Sequence, residues 1–262
     1  MNHASRAHEG PVSERAHPVV FVHGAWHGAW CWEEHFLDYF ARRGYDVRAP
    51  DLRAHGALAP TGALRGCRIR DYVADLAAAT AACAQPPILI GHSMGGLVVQ
   101  KYLERGQARA AILLAPVPVR GALGATLRTI RRIPRQFVKA NLQLRLYPLI
   151  ETEELAREAF FSADLDPALV RKYFQRLQDE SYLAFLDMVA FSLPRPGRVQ
   201  APVLVLGGEH DAVFRPAEMR ATAAAYGGDA VIFPGMAHDM MLERGWQHVA
   251  DHCLGWLAAQ GL

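Results

Sequence analysis

The sequence predicts an α/β fold in which a mostly parallel sheet of about six strands is flanked by helices and carries an inserted helical cap. Two observations support this prediction. Short apolar runs alternate with helix-length amphipathic segments along most of the chain, as expected for a parallel sheet covered on both faces. Between residues 115 and 199 this alternation stops, and amphipathic helical patterns follow one another there.

The predicted strands are short, mostly continuous apolar runs, which are typical of strands buried on both faces. They are Val19–Val22, Asp46–Ala49, Ile88–Ile90, Ala111–Leu114, Val203–Leu206 and Ala230–Phe233. Helical patterns separate most of these strands and close the chain. The predicted helices are Trp32–Arg43, Asp71–Cys83, Met94–Glu104, Pro216–Tyr226 and Gln247–Ala259.

The predicted cap is bracketed by the proline-rich stretches Pro116–Pro118 and Pro194–Gly197. We therefore expect a disordered tail over residues 1–17, a core formed by residues 18–117 and 198–262, and a cap over residues 118–197. Such a cap either shields a site and shapes an apolar pocket or serves as plain scaffold. Its predicted helices are Leu123–Ile133, Gln136–Leu146, Glu153–Phe161, Pro167–Gln178 and Ser181–Phe191.

Composition limits the classes of partner and compartment. The 262 residues are 51% hydrophobic and 21% charged, which is typical of a globular domain with a sizeable core. A net charge of +2 predicts no nucleic-acid partner, and no apolar run reaches the length of a membrane span. The polar first 17 residues predict no secretory signal. Four scattered cysteines predict reduced thiols, no metal site and a cytoplasmic location; they are Cys31, Cys67, Cys83 and Cys253.

The strongest motif is Gly-His-Ser-Met-Gly at residues 91–95, between a predicted strand and a predicted helix. A Gly-x-Ser-x-Gly sequence in that position predicts a sharp turn that exposes the hydroxyl of Ser93 as a nucleophile. Glycines flank the serine because the neighbouring backbone segments crowd together at such a turn. The N–H of Met94, at the start of the helix, would face a developing oxyanion.

A serine nucleophile needs a general base, and the base needs an acid that orients it. Sites in open parallel sheets lie at the carboxyl ends of the strands, and this rule selects candidates. His238 follows the last predicted strand, and Asp211 follows the strand before it. We therefore predict Ser93 as the nucleophile, His238 as the base and Asp211 as the acid, with Glu209 as the alternative acid.

The loop after the first strand supplies candidates for the second oxyanion donor. We assign that donor to the N–H of Ala25, with Trp26 as the alternative. Trp26, His92 and Met236 are our candidates for the substrate pocket. Other aromatic residues either line this pocket or belong to the core; they are Trp30, Trp32, Phe137, Phe160, Phe161, Phe174 and Phe185.

These motifs resemble the α/β-hydrolase superfamily over residues 18–262. The stretches at residues 91–96 (GHSMGG) and 51–56 (DLRAHG) look most like monoacylglycerol lipases and lysophospholipase-like esterases. The chain order Ser93, Asp211, His238 is also that of the superfamily. The resemblance implies the α/β-hydrolase fold and an acyl-enzyme mechanism that requires no cofactor.

A second resemblance concerns residues 23–32, which are similar to the first loop of plant methylesterases and hydroxynitrile lyases. The lyases carry Cys after the serine and Lys after the histidine, whereas this chain has Met94 and Asp239. The sequence therefore favours hydrolysis of a small-to-medium hydrophobic carboxylic ester, a small-molecule substrate, by a monomer or a dimer. C–C hydrolysis, perhydrolysis, lyase-like activity and a weakly catalytic ligand receptor are the alternatives.

Overall fold

The computed structural model describes residues 5–7, 17–61 and 63–262. Its centre is a seven-stranded sheet with the strand order β1-β3-β2-β4-β5-β6-β7. Strands β2 to β7 pair in parallel, and β1 pairs antiparallel with β3 at the edge. The strands are β1 (Ser5–Ala7), β2 (Pro18–Val22), β3 (Asp46–Pro50), β4 (Ile88–His92), β5 (Ala110–Leu114), β6 (Val203–Gly208) and β7 (Ala230–Phe233).

The predicted fold class is confirmed, and each of the six predicted strands is present. The added strand β1 lies within the tail that we predicted to be disordered. Its backbone pairs with β3 from Ser5 opposite Pro50 to Ala7 opposite Arg48. An exposed sheet edge can pair with any extended segment through main-chain hydrogen bonds. Such an edge strand needs no apolar pattern, so the sequence did not predict it. Residues 1–4 and 8–16 of the tail lie outside the described residues.

Helices cover both faces of the sheet. One face packs against α1 (Trp30–Glu33), α2 (Phe36–Ala41) and α11 (Trp246–Ala259). The other packs against α3 (Ile69–Ala81), α4 (Met94–Leu103) and α10 (Pro216–Ala225). Because side chains alternate along a strand, each strand contributes to both layers of the core, which explains why the strands are continuously apolar.

Five helices lie between β5 and β6, in the segment where we predicted the cap. They are α5 (Leu123–Arg132), α6 (Pro134–Gln143), α7 (Glu153–Phe160), α8 (Pro167–Phe174) and α9 (Tyr182–Leu186). A π-helical turn, Asp187–Phe191, extends α9. Short 3₁₀ turns connect other elements at Gly56–Thr61, Leu64–Gly66, Tyr147–Leu149 and Pro196–Arg198.

Two predicted helices are each divided in the structure, and in both cases the cause is a contact with a distant residue. The helix predicted over Trp32–Arg43 breaks at His35, whose φ of −145° is not helical. The imidazole of His35 stacks on Trp246 with ring centroids 4.5 Å apart. The helix predicted over Ser181–Phe191 changes to a π turn at Asp187, whose carboxylate binds Arg68 and the N–H of Ile69. In the described residues, none of the helices is long and apolar enough to cross a membrane.

Candidate active site

Ser93 lies on a strained turn between β4 and α4. Its φ of 52° and ψ of −116° fall in a region that residues with a side chain rarely adopt. Backbone hydrogen bonds hold the turn in place: the N–H of Ser93 donates to the carbonyl of Leu114 at 3.0 Å, and Val117 donates to the carbonyl of Ser93 at 3.1 Å. Strain of this kind persists only where the surrounding structure enforces it, and it is concentrated at functional sites.

The flanking glycines are required because two backbone segments approach each other here. A Cβ at Gly91 would lie 2.7 Å from the carbonyl oxygen of Gly95. A Cβ at Gly95 would overlap the carbonyl oxygens of Val22 and His23, at the end of β2. Helix α4 can therefore begin directly against the end of β2 only with glycine at these positions.

The structure brings His238 and Asp211 together. The Nδ1 atom of His238 is 2.8 Å from Oδ2 of Asp211, and both side chains are buried. Asp211 follows β6, and its other oxygen accepts hydrogen bonds from the N–H groups of Val213 and Phe214 at 2.7 and 2.8 Å. These bonds fix the carboxylate, and the carboxylate in turn fixes the tautomer of His238 with hydrogen on Nδ1.

Another hydrogen bond connects the histidine loop to the serine turn. The Nε2 atom of His92, the residue before Ser93, lies 3.0 Å from the carbonyl oxygen of His238. Since a carbonyl oxygen can only accept, Nε2 of His92 carries the hydrogen. Burial and the neighbouring His238 lower the pKa of His92 to about 3, so this imidazole is neutral.

The electrostatic surroundings of His238 favour its protonated form. Burial alone lowers the pKa of this imidazole, but the charge of Asp211 and the hydrogen bond to it outweigh burial. The pKa of His238 is therefore raised above the ordinary value of 6.5. A histidine with such a pKa can take up a proton during a reaction near neutral pH and release it again.

Glu209, the alternative acid, is directed away from His238. Its side chain is about half exposed, and its Oε2 accepts a hydrogen bond from the N–H of Gly235 at 2.9 Å. The two carboxylates of the loop after β6 thus have separate partners. Asp211 contacts the imidazole, and Glu209 contacts the backbone of the turn that follows β7.

The loop after β2 lies beside Ser93 and contains both candidate oxyanion donors. Ala25 lines the same cavity as Ser93, and Met94 opens helix α4, where the first N–H groups have no partner within the helix. Trp26 adopts a left-handed conformation with φ of 64°. The carbonyl of Trp26 accepts a hydrogen bond from the N–H of Gln178 at 2.9 Å, so the segment after α8 holds this loop.

A narrow apolar cavity of ≈ 80 Å³ opens at Ser93. Side chains of the segment between β5 and β6 form most of its wall. A second cavity of ≈ 100 Å³ shares four wall residues with the first and adds the side chains of Arg128, Arg132 and Phe160. The shared residues are Trp26, Thr129, Leu149 and Val213, and the wall of the first cavity also includes Phe137, Phe185, Met188 and Phe214.

The candidate pocket residues have different positions in the structure. Trp26 lines both cavities. His92 and Met236 line neither of the two: His92 is turned toward the backbone of His238, and Met236 packs in the core layer that contains α11. Ser93 thus lines the cavity, whereas the side chain of the preceding His92 is used in a hydrogen bond to the backbone.

The aromatic residues that the sequence left between pocket and core divide in the same way. Trp30 and Trp32 are buried in the core, as is Phe161, and Phe174 packs against that core. Phe137 and Phe185 line the cavity at Ser93, and Phe160 lines the second one. The sequence pattern could not separate these groups, since helix faces toward a core and toward a cavity are equally apolar.

The atoms of His92, His238 and Asp239 come within 4.8 Å of one another, a spacing at which three ligands could hold a metal ion. Each side chain has a protein partner instead. His92 binds the carbonyl of His238, His238 binds Asp211, and Asp239 binds His27. We therefore assign these side chains to a hydrogen-bond network, in which Nδ1 of His92 and Oδ1 of Asp239 have no hydrogen-bond partner among the described residues.

Known proteins share parts of this sequence and the fold of this chain. The sequence profile of the alpha/beta hydrolase family matches residues 19–251. The rice protein (Oryza sativa subsp. indica) named "Probable esterase PIR7A" is 38% identical over 125 residues, 45% of this chain. The chain thus spans 47% of the length of that relative. A non-heme haloperoxidase of Rhodococcus erythropolis is 26% identical over 245 residues, 85% of this chain and 86% of that protein.

Among solved structures, a monoacylglycerol lipase of Paleococcus ferrophilus superposes with a TM-score of 0.74 at 21% identity. The superposition covers 99% of this chain and 100% of the lipase. At this level of identity the likeness concerns the fold.

Proposed function

The chain belongs to the alpha/beta hydrolase family, and we propose that it hydrolyses carboxylic esters with Ser93 as the nucleophile. The observation that carries the proposal is the position of the His238–Asp211 pair. The imidazole binds the carboxylate at 2.8 Å, and the carbonyl of His238 binds His92 next to Ser93 at 3.0 Å. These two contacts support the assignment of His238 as the base, oriented by Asp211, for the strained serine.

In the proposed mechanism, Nε2 of His238 takes the hydroxyl proton as Oγ of Ser93 attacks the ester carbonyl. Asp211 keeps hydrogen on Nδ1 of the imidazole and stabilises the imidazolium that forms. The imidazolium then gives its proton to the leaving alcohol, and an acyl-serine remains. His238 next activates water, which releases the acid and restores Ser93.

The tetrahedral oxyanion is stabilised by the N–H groups of Ala25 and Met94. The position of Ala25 in the cavity wall at Ser93 and of Met94 at the N-terminus of α4 supports this assignment. The positive end of the helix dipole adds to the effect. Removal of one donor in such a hole typically costs about 10²–10³ in kcat.

The cavity supports a small hydrophobic substrate. Its ≈ 80 Å³, even with the adjoining ≈ 100 Å³, is well below the volume of ~300–1,000 Å³ typical of pockets for drug-sized ligands. Phe137, Phe185 and Met188 leave an apolar wall for the acyl or alcohol group. We propose that residues 118–197 act as the cap that excludes water from this space.

Perhydrolysis is a second candidate reaction. The observation that favours it is the Rhodococcus relative named a haloperoxidase, which aligns over 85% of this chain. The same acyl-serine would then be attacked by hydrogen peroxide instead of water, giving a peracid. Formation of peracid from acetate and hydrogen peroxide, measured by the oxidation of bromide, tests this candidate separately.

Turnover of p-nitrophenyl esters, from acetate to laurate, tests ester hydrolysis. We expect Ser93→Ala to lower kcat by about 10³-fold or more, since loss of a serine nucleophile removes the covalent route. Ser181→Ala is the matched control, because Ser181 is also buried but caps α9 and binds the carbonyl of Cys67. If wild type hydrolyses no ester faster than Ser93→Ala, the proposed function is wrong.

A further inference from the structure

Asp239 is a buried carboxylate that the proposed mechanism does not use. It directly follows His238 and is fully buried. Its Oδ2 lies 2.9 Å from Nε2 of His27, and its N–H donates to the carbonyl of Phe160 at 3.0 Å. An isolated carboxylate at such a depth is strongly unfavourable, so its partner must satisfy it.

The partner of Asp239 is His27, whose two ring nitrogens each face an acceptor oxygen. Its Nδ1 atom lies 2.7 Å from the carbonyl oxygen of Ala25, and its Nε2 atom faces Asp239. A carbonyl oxygen only accepts, so Nδ1 of His27 donates to Ala25, and Nε2 is left for the carboxylate. Burial raises the pKa of Asp239, but His27, through its charge and its hydrogen bond, together with His92 and His238, outweighs burial and lowers that pKa. His27 thus connects the carbonyl of Ala25 to the buried carboxylate of Asp239.

Aromatic side chains shield the His27–Asp239 pair from solvent. The imidazole of His27 stacks on Trp30 with ring centroids 5.2 Å apart, and Phe160 covers it edge-on at 5.5 Å. His92 lies near the remaining oxygen of Asp239, with Nε2 at 3.6 Å. Both side chains are at most 1% exposed, so bulk solvent does not compete for this hydrogen bond and its geometry is well defined.

The His27–Asp239 pair connects the two loops that carry the proposed base and the proposed oxyanion donor. Asp239 is covalently bonded to His238, and Ala25 carries the proposed oxyanion donor. This inference rests on the proposed function. We propose that the His27–Asp239 pair positions the loop of the base relative to the loop of the oxyanion hole. Neither side chain touches the reacting atoms; both act through the backbone of their neighbours.

Three variants test the proposal with p-nitrophenyl butyrate as the substrate. His27→Phe keeps the ring between Trp30 and Phe160 but removes both hydrogen bonds. We expect its kcat to fall by about 10–100-fold with KM within about threefold, because misplaced catalytic groups affect the transition state more than substrate binding. Asp239→Asn should stay within about fivefold of wild type, because its amide N–H can donate to a neutral His27 that still binds Ala25.

The double variant His27→Phe/Asp239→Asn distinguishes a loss of positioning from the effect of an unpaired buried charge on Asp239. It contains no buried ionised side chain at this place, so it should fold even if His27→Phe does not. The proposal predicts that its kcat is as low as that of His27→Phe. Recovery to the level of Asp239→Asn would show that an unpaired charge caused the loss, and this would overturn the proposal, as would full activity in His27→Phe.

Ser162→Ala is the matched control for stability. Ser162 binds the buried Glu243, four residues after Asp239, through both its N–H and its hydroxyl. We expect a lower melting temperature with kcat near that of wild type. Wild type and Ser93→Ala are measured in parallel: equal turnover there contradicts the proposed function, whereas an active wild type with an equally active His27→Phe contradicts the positioning role alone.

Discussion

At the residue scale, the site combines backbone strain at Ser93 with buried hydrogen bonds that orient His238 and Asp211. The left-handed turn costs free energy that the packing of β2, β4 and α4 must supply. His238 and Asp211 add a charged hydrogen bond in a buried setting. If Ser93 and His238 have the proposed roles, these contacts hold both groups in position before substrate binds.

The raised pKa of His238 predicts the acid side of the pH profile. The base must be neutral to accept the serine proton, and Asp211 raises the pKa of the imidazole above 6.5. We expect kcat/KM for p-nitrophenyl butyrate to rise with pH through a midpoint above 6.5, since this parameter reports the free enzyme. Initial rates between pH 5 and 9 in buffers of constant ionic strength check this. A midpoint well below 6.5 would show that another group controls activity.

The residues of the site differ in how far the sequence could predict them. Ser93, Asp211 and His238 each follow a strand, so a topological rule finds them without side-chain geometry. From the sequence, Asp239 was noted only as a difference from the lyases, and His27 was given no separate role. The reason is that the hydrogen bond between them spans 212 positions in sequence. Only the packed structure shows that one side chain faces the other.

At the element scale, the segment after α8 fixes the loops around the site. The amide of Gln178 binds the N–H of Gly56 and the carbonyl of Ala54, while its backbone N–H binds Trp26. Glu180 binds both His55, at 2.9 Å, and the hydroxyl of Tyr72, at 2.8 Å. Within the motif at residues 51–56, the side chain of His55 and the backbone of Ala54 and Gly56 thus connect the loop after β3 to the predicted cap.

Helices α6 and α9 set the length of the cavity through Phe137 and Phe185. We expect Phe137→Ala to shift the ester preference toward longer acyl chains, raising the octanoate-to-butyrate ratio of kcat/KM by about tenfold. Two additional buried methylenes at ~0.8 kcal/mol each are sufficient for such a change. Phe191→Ala is the control, since Phe191 is 74% exposed in the same segment. An unchanged ratio would place the acyl chain elsewhere.

The elements themselves were predictable to different degrees. Strands buried on both faces are recognisable by their continuously apolar composition. All six predicted strands have ends within two residues of those in the structure. The breaks at His35 and at Asp187 were not found, because stacking on Trp246 and the ion pair with Arg68 override local helix preference. Contacts between residues distant in sequence do not change the periodicity of apolar residues from which helices are predicted.

At the scale of the whole molecule, the sheet and the predicted cap have separate tasks. The sheet brings together the ends of β2, β4, β6 and β7, and with them the proposed nucleophile, base, acid and oxyanion loop. Side chains of the helices between β5 and β6 form most of the wall of the cavity at Ser93. The alternation of strands and helices predicted the first arrangement, whereas the shape of the cavity depends on which helix faces meet and could not be inferred from the sequence.

The central claim is that Ser93 is the nucleophile, and the most direct measurement is the site of labelling by a fluorophosphonate. Such a reagent phosphonylates a serine activated by an oriented base. We expect one adduct per chain by intact mass, located at Ser93 by tandem mass spectrometry, with parallel loss of esterase activity and no adduct in Ser93→Ala. Persistent ester turnover with no label at Ser93, or an equal label in Ser93→Ala, would contradict the account.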